Sequence, residues 1–456
     1  MSAAPQSAAL RSFEEQWRGR ASDALSGLRE RALNRLLQLG LPTSHDESWR
    51  YTNLRPLASQ SFVDAPGVVT PGAAAPGAAA AGGFDRHRAL ALEAAQAILG
   101  GRADAAAHAI VLVNGYPLLP PASAAGTEVR ALSALAREHP DLALRHLEPL
   151  SDAEELRWLL LNTALGVDGV HIKINGALAT PLLILHLGTA DRPGTAAHPR
   201  VIVEAAAGAT GTIIEHHIQH GDAAPLSNSA TFLALEPAAR LEHYRVFAAG
   251  EQAVHFDTLQ VRLQRNAECR QFTVVLGGGL VRTSLDARLS EPGAKLDSRA
   301  LLVGHADRHV DCVNVVRHAA ARTVSRQTAR AIASGTSRVI FNSKVVVDAG
   351  ASQSDSQQSC RGLLLSPSAE IDSRPQLEIH TDDVKCAHGA TTGRLDPNML
   401  FYMLSRGLDR QTAQSLLVYA FLADVLTDMS ESAARTAIES EMIRQLPDSQ
   451  TLQEFR

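Results

Sequence analysis

Over residues 8–39 of this 456-residue chain the apolar positions Leu10, Phe13, Trp17, Leu25, Leu28, Ala32, Leu36 and Leu37 recur at helical spacing, before Gly40 and Pro42. That pattern predicts a helical N-terminal unit. The next stretch, DESWRYTNLRPL (46–57), interleaves charges with Trp49, Tyr51 and Leu54, and we read the three as packing anchors. APGVVTPGAAAPGAAAAGG (65–83) offers little to bury and reads as a linker or mobile loop. A further helix is expected over 84–101, which completes an N-terminal helical domain of residues 1–105.

From Ala109 the hydrophobic period changes. AIVLVNGYPLL reads as a short buried strand meeting an Asn-Gly turn at Asn114 and Gly115. A helical insertion is predicted over roughly 131–165, and from Gly169 onward short apolar alternations continue without a convincing helix. Corner-like tetrapeptides of small and polar residues recur at Gly208, Ala238, Ala267, Gly293, Ala320, Gly350 and Ser368, in steps of 30, 29, 26, 27, 30 and 18 residues. Such a period belongs to a solenoid whose coils each hold two or three strands and bury their inward side chains against the next coil. A β-sandwich with coincidentally spaced turns is the alternative. The β core is placed at residues 106–393.

A C-terminal helical domain, 394–456, follows. In DPNMLFYMLSRG Asp396 is a helix N-cap, Pro397 takes the first helical position and Gly407 stops the helix. Asp409 caps a second helix with an apolar face of Leu416, Leu417, Ala420, Phe421 and Val425, and Ser430 opens a third. Because a solenoid end is an unpaired edge, this unit is expected to cap it.

Composition narrows the function classes. A net charge of −5 gives no global attraction to nucleic acid or to an anionic membrane. No stretch reaches the roughly 18 apolar residues of a membrane span, and the N-terminus lacks the apolar core of a signal peptide. The four cysteines, Cys269, Cys312, Cys360 and Cys386, lie far apart with no C-x-x-C, so neither a zinc ribbon nor a redox dithiol is written here. A reduced, cytoplasmic protein is the expectation. Neither a phosphate-binding loop nor a G-x-G-x-x-G before a helix occurs, which argues against a nucleotide-dependent enzyme.

The candidate chemistry lies in DDVKCAHGATTG (382–393). On an extended strand Cys386 and His388 point to one face, a geometry suited to sharing a metal such as iron, zinc or copper. Two donors do not close a site, so other segments or a second chain would have to complete it. From spacing alone a buried cysteine beside a hydrogen-bonded histidine is the simpler reading. A catalytic thiol is less favoured, since the nearby Asp382, Asp383 and His388 are sequence neighbours rather than a folded triad. EHHIQH (215–220) alternates Glu215 and His217 against His216 and His220 and reads as a strand with one solvated face. HADRHVDCVNVVRH (305–318) reads as another polar strand face.

The residues from 373 to 408, SRPQLEIHTDDVKCAHGATTGRLDPNMLFYMLSRGL, resemble the SufD family of the Suf iron-sulfur cluster assembly system, as do VSRQ (324–327), FNSKVVV (341–347), LLLSPSAEIDS (363–373) and DESWRYTNL. The resemblance is strong over about 323–426 and looser upstream. Ser343 departs from a frequent glycine, which bears only on local turn shape. The resemblance implies a mainly β fold, a right-handed parallel β-helix flanked by N-terminal and C-terminal α-helical domains. It also implies a non-enzymatic scaffold that pairs with SufB and binds the SufC ATPase through C-terminal helices, where Phe401, Tyr402, Arg406 and Gly407 fall. The family's functional histidine falls on His388 and its neighbouring cysteine on Cys386, placing iron or a nascent cluster at the interface with SufB. Flavin binding is left open, as is homodimer formation by the isolated chain. The competing readings are a homodimeric interaction protein without a metal role and a β-helix polysaccharide-active enzyme, against which aromatics at 4% argue.

Overall fold

In the computed structural model, which describes residues 7–20, 22–67, 81–99, 109–118, 126–147, 156–189, 193–220 and 225–445, the chain beyond Val170 winds alternately through two sheets. One runs from Thr127–Ala131 and Val170–Ile174 to Glu370–Ile379, the other from Ala109–Val113 to Val384–Gly393. Within each, successive coils pair in parallel. A coil therefore carries two strands of about ten residues, a flattened β-solenoid.

Register stacks like on like. Leu233, Val261, Ala287, Val316, Val345 and Leu377 occupy equivalent positions in consecutive coils, at steps of 28, 26, 29, 29 and 32 residues. Their inward faces form one continuous core with Ile172, Val203, Leu241 and Leu296. The corners stack as well: Gly208 N–H donates to Pro237 O, Ala238 N–H to Arg265 O and Arg322 N–H to Ser352 O. Left-handed backbone marks these corners at Gly208, Ala238, Asn266, Gly293, Arg322 and Gln353. Ser368 belongs to a turn on the opposite edge of the coil, which explains its short step of 18. The next corner of the series is Asp382–Asp383, immediately before Val384–Gly393.

Asn114 and Gly115 both have positive φ, 51° and 91°, and turn Ala109–Val113 back onto Tyr116–Pro117 as a tight hairpin. A Cβ at Gly115 would lie 3.1 Å from Pro199 Cα, so close approach as well as φ calls for glycine. The insertion contributes Leu132–Glu138, Pro140–Leu147 and Arg157–Leu165. Helix Ala81–Ile98 precedes the core, while most of the predicted linker, residues 68–80, lies outside the described residues.

The helices do not cover the last coil as expected. Arg410–Leu426 and Ser432–Arg444 lie on the flank of the second sheet, where Val418, Leu422, Leu426, Ile438 and Met442 pack with Tyr244, Phe272, Leu301 and Ile332. The physical reason is the outward face of that sheet, which is apolar over several coils and outweighs one exposed edge in area to be buried. Ala8–Arg18, Ser26–Leu39 and Arg157–Leu165 cover the outer face of the other sheet with Trp49, Trp158 and Phe256. Trp49 and Leu54 are buried packing anchors, as expected; Tyr51 is half-buried under the Arg338 guanidinium.

Candidate metal site at the open end of the solenoid

Strands Glu370–Ile379 and Val384–Gly393 end the two sheets, each paired on one side only. Cys386 stands in register with Ser356 and His388 with Gln358. Both partners are buried inside the coil, so Cys386 and His388 share the inward face, as period-two alternation requires. Tracing the register backward gives one file through the interior: His388, Gln358, Gln327, Ser298, Gln271 and His243. Several of its members are cross-linked, with Ser298 Oγ donating to Gln271 Oε1 at 3.1 Å and Ser343 Oγ to Gln327 Oε1 at 2.9 Å. His388 is the end of that file, exposed because no coil follows.

The two donors differ in environment. Cys386 is half-buried against the core and burial raises its thiol above the usual range, so it is protonated at neutral pH rather than an activated nucleophile. A metal would take it as thiolate by releasing that proton. His388 has no hydrogen bond or ion pair among the described residues, contrary to the packing alternative with a hydrogen-bonded histidine. Asp382 and Asp383 are exposed at the corner, and no third His, Cys, Asp or Glu among the described residues groups with Cys386 and His388. On the last strand of the other sheet, hydrogen bonds from Lys344 and His380 hold the Glu378 carboxyl down to about 2.

Exposed apolar surface concentrates nearby in sequence. Helix Pro397–Ser405 has no buried residue, and Met399, Phe401 and Tyr402 account for three of the five large apolar side chains that the described residues expose. Phe401 is 72% exposed and Ile379, on the last strand of the first sheet, 40%. Arg406 donates to the Tyr402 hydroxyl at 3.2 Å and lies over its ring. Gly407, at φ 90°, turns the chain away from the helix.

The polar clusters read as strand faces resolve differently. The residues of 305–318 do not converge: His305 meets Ser334, His309 meets Thr52, Cys312 is buried in an apolar cluster and His318 bonds Thr323 and Ser325. EHHIQH has no simple solvated face. Glu215 and His217 are buried inside the solenoid, because their parity on strand Thr210–His220 is that of the core residue Ile213. Sequence reasoning missed this buried group; the signal was the inward parity of Glu215 and His217 once a solenoid had been recognised.

Residues 186–421, just over half of the chain, match the family described as SUF system FeS cluster assembly, SufBD core domain. The chain is 28% identical over 417 residues to the iron-sulfur cluster assembly protein SufD of Escherichia coli, covering 91% of this chain and 92% of that one. An iron-sulfur cluster assembly SufBD family protein of Synechocystis is 27% identical over 423 residues, covering 90% and 88%. A SufBD family protein of Mycobacterium leprae is 31% identical over 244 residues, 49% of this chain and 60% of that one. With a β-solenoid core and a family match that spans most of its coils, the chain belongs to the SufBD family of iron-sulfur cluster assembly proteins, with its full-length likeness to SufD.

Proposed function

We propose that this chain is a non-ATPase scaffold subunit of a cytoplasmic SufBCD complex, in which His388 and Cys386 supply half of a site for iron or a nascent cluster and SufB supplies the rest. The observation that carries the reading is the open last coil: two metal-binding side chains on an inward face, with unpaired strand edges on both sheets. A partner solenoid that adds strands to those edges would bury His388 and bring further donors over it. In this reading the coil is right-handed, residues 106–393 form the scaffold, and residues 394–456 dock SufC. The exposed Phe401 and Tyr402, with Arg406 and Gly407, fit such a docking surface because aromatic and arginine side chains dominate interface cores. ATP-driven closure of two SufC copies would pull on helices that rest on the solenoid flank and so distort the junction.

Two variants separate these roles. In a complex reconstituted with SufB and SufC, His388→Ala retains both partners but loses cluster assembly; iron and sulfide contents equal to wild type would sink the assigned role. Phe401→Ala/Tyr402→Ala loses SufC in co-purification and keeps SufB, whereas undiminished SufC recovery would remove the docking surface. A homodimer through the same unpaired edges is the second reading, and sedimentation of the isolated chain with and without SufB tells the two apart.

A further inference from the structure

We propose that Glu215, His186 and His217, with His255 and Asp257 beside them, form a second, fully buried site for a divalent first-row transition-metal ion inside the solenoid. The inference is independent of His388 and of the partner complex.

Neighbouring coils and both sheets contribute donors. His186 and His217 are register partners on adjacent strands and stack at 4.1 Å between ring centroids, while His255 approaches edge-on from the other sheet at 4.8 Å. One ligand atom from each of His186, Glu215 and His217 lies within 4.8 Å of the other two, and the same holds for His217, His255 and Asp257. Donors bonded to one ion at about 2.1 Å stand at most about 4.2 Å apart, so the group has to close by roughly half an ångström or more. Rotation about the soft terminal torsions of imidazole and carboxylate provides that movement.

Three observations call for a ligand. Both ring nitrogens of His217 and Nδ1 of His186 are buried without a hydrogen-bond partner. Each such orphan costs about 1–3 kcal/mol unless something fills the gap. Second, Glu215 is wholly buried, with imidazoles rather than solvent around its carboxylate. Thr231 donates to Glu215 at 2.7 Å, and His186 and His243 stand 3.5 and 3.1 Å away. Its register neighbour Arg245 is turned instead to Asp257, with which it forms a buried ion pair, and to Thr273, so among the described residues no arginine pairs with the Glu215 carboxylate. A buried carboxylate among imidazoles is what a bound dication compensates. Third, His186, His217 and His255 line a pocket of about 40 Å³, room for an ion with its remaining water on the imidazole side of the cluster, while Glu215 and Asp257 are not part of its lining.

The donor set has the chemistry for it. The His217 and His255 rings are buried, and burial favours the neutral imidazole that ligates a metal. Imidazole with carboxylate, without thiolate, suits zinc or iron(II). Outer contacts orient the set, since Ser229 Oγ donates to Asp257 at 2.6 Å and stands 2.9 Å from His255 Nε2.

The test uses the full chain, chelator-treated, loaded with Zn²⁺ or anaerobic Fe²⁺, desalted and measured by inductively coupled plasma mass spectrometry. Wild type retains one equivalent, and Co²⁺ in its place gives nitrogen–oxygen ligand-field bands without thiolate charge transfer. The equivalent persists in Cys386→Ala/His388→Ala and is lost in His217→Phe, which keeps a stacked ring but no nitrogen. Glu215→Gln, nearly isosteric, loses it too, so a folding defect in one variant does not decide the matter. No retained ion in wild type, meaning ordered water only, overturns the proposal. So does an ion that survives His217→Phe but vanishes with Cys386 and His388.

Discussion

Between about pH 7 and pH 5 the chain loses on the order of 5 kcal/mol of stability, because it buries histidines in their neutral form. Burial takes His198 and His255 down to about 3 and His318 to about 4. In the unfolded chain the same rings titrate near 6.5. The unfolded state therefore binds more protons throughout the window from about 6.5 down to the folded values, and stability falls as pH falls through it. Above about 6.5 these groups contribute no pH dependence. At pH 5 each costs about 2 kcal/mol, and three together approach the whole margin of a typical domain, about 5–15 kcal/mol. Glu215 acts in the same sense but below this window: its depressed carboxyl contributes stability that is present above the usual carboxylate value and lost only in stronger acid. The check is the urea unfolding midpoint at pH 7, 6 and 5, at low and high salt. A steep fall that salt leaves unchanged supports burial as the cause, since surface ion pairs are screened. A midpoint that stays flat across the range would show that the buried rings accept protons freely.

Asp311→Ala destabilises the chain by about 3–5 kcal/mol, the usual cost of leaving one member of a buried ion pair unpaired. Asp311 and Arg282 are almost wholly buried and bonded to each other. The Arg282 guanidinium also lies 3.6 Å above the Trp49 ring, and Thr52 donates to Asp311 at 2.6 Å. The pair thus fastens the DESWRYTNL segment to the outer face of the solenoid. Without the carboxylate, a guanidinium stays out of water against an indole. Replacing both partners, Arg282→Met with Asp311→Leu, removes that penalty and costs far less, because apolar packing substitutes well for a buried pair. Urea denaturation and the rate of proteolysis near residues 46–57 report the two variants. Equal losses in the single and the double variant would mean that Asp311 acts through shape alone.

Much of the fold was legible because solenoid signals are local. Corner residues recurred at coil spacing, the Asn114–Gly115 turn announced its hairpin, and Asp396, Pro397 and Gly407 bracketed Pro397–Ser405. Ser368 was placed on the wrong edge because each coil has two corners of similar composition. The helical cap over the last coil was inferred from a general need to cover edges. The area of apolar strand surface around Tyr244, Phe272, Leu301 and Ile332 drew the helices to the flank instead.

For the candidate site, sequence by itself determined that Cys386 and His388 share a face, since alternation along a strand is a property of the backbone. It also determined that they form an incomplete donor set. Only tertiary structure decided that this face points into the coil, that the coil is the last one and that His388 ends a buried polar file. The same holds for the cluster of His186, Glu215, His217, His255 and Asp257, gathered from three strands in two sheets. Parity along one strand is fixed by stereochemistry, whereas convergence across coils depends on turns that vary the step from 26 to 32 residues. Only the folded register turns those variable steps into fixed neighbours.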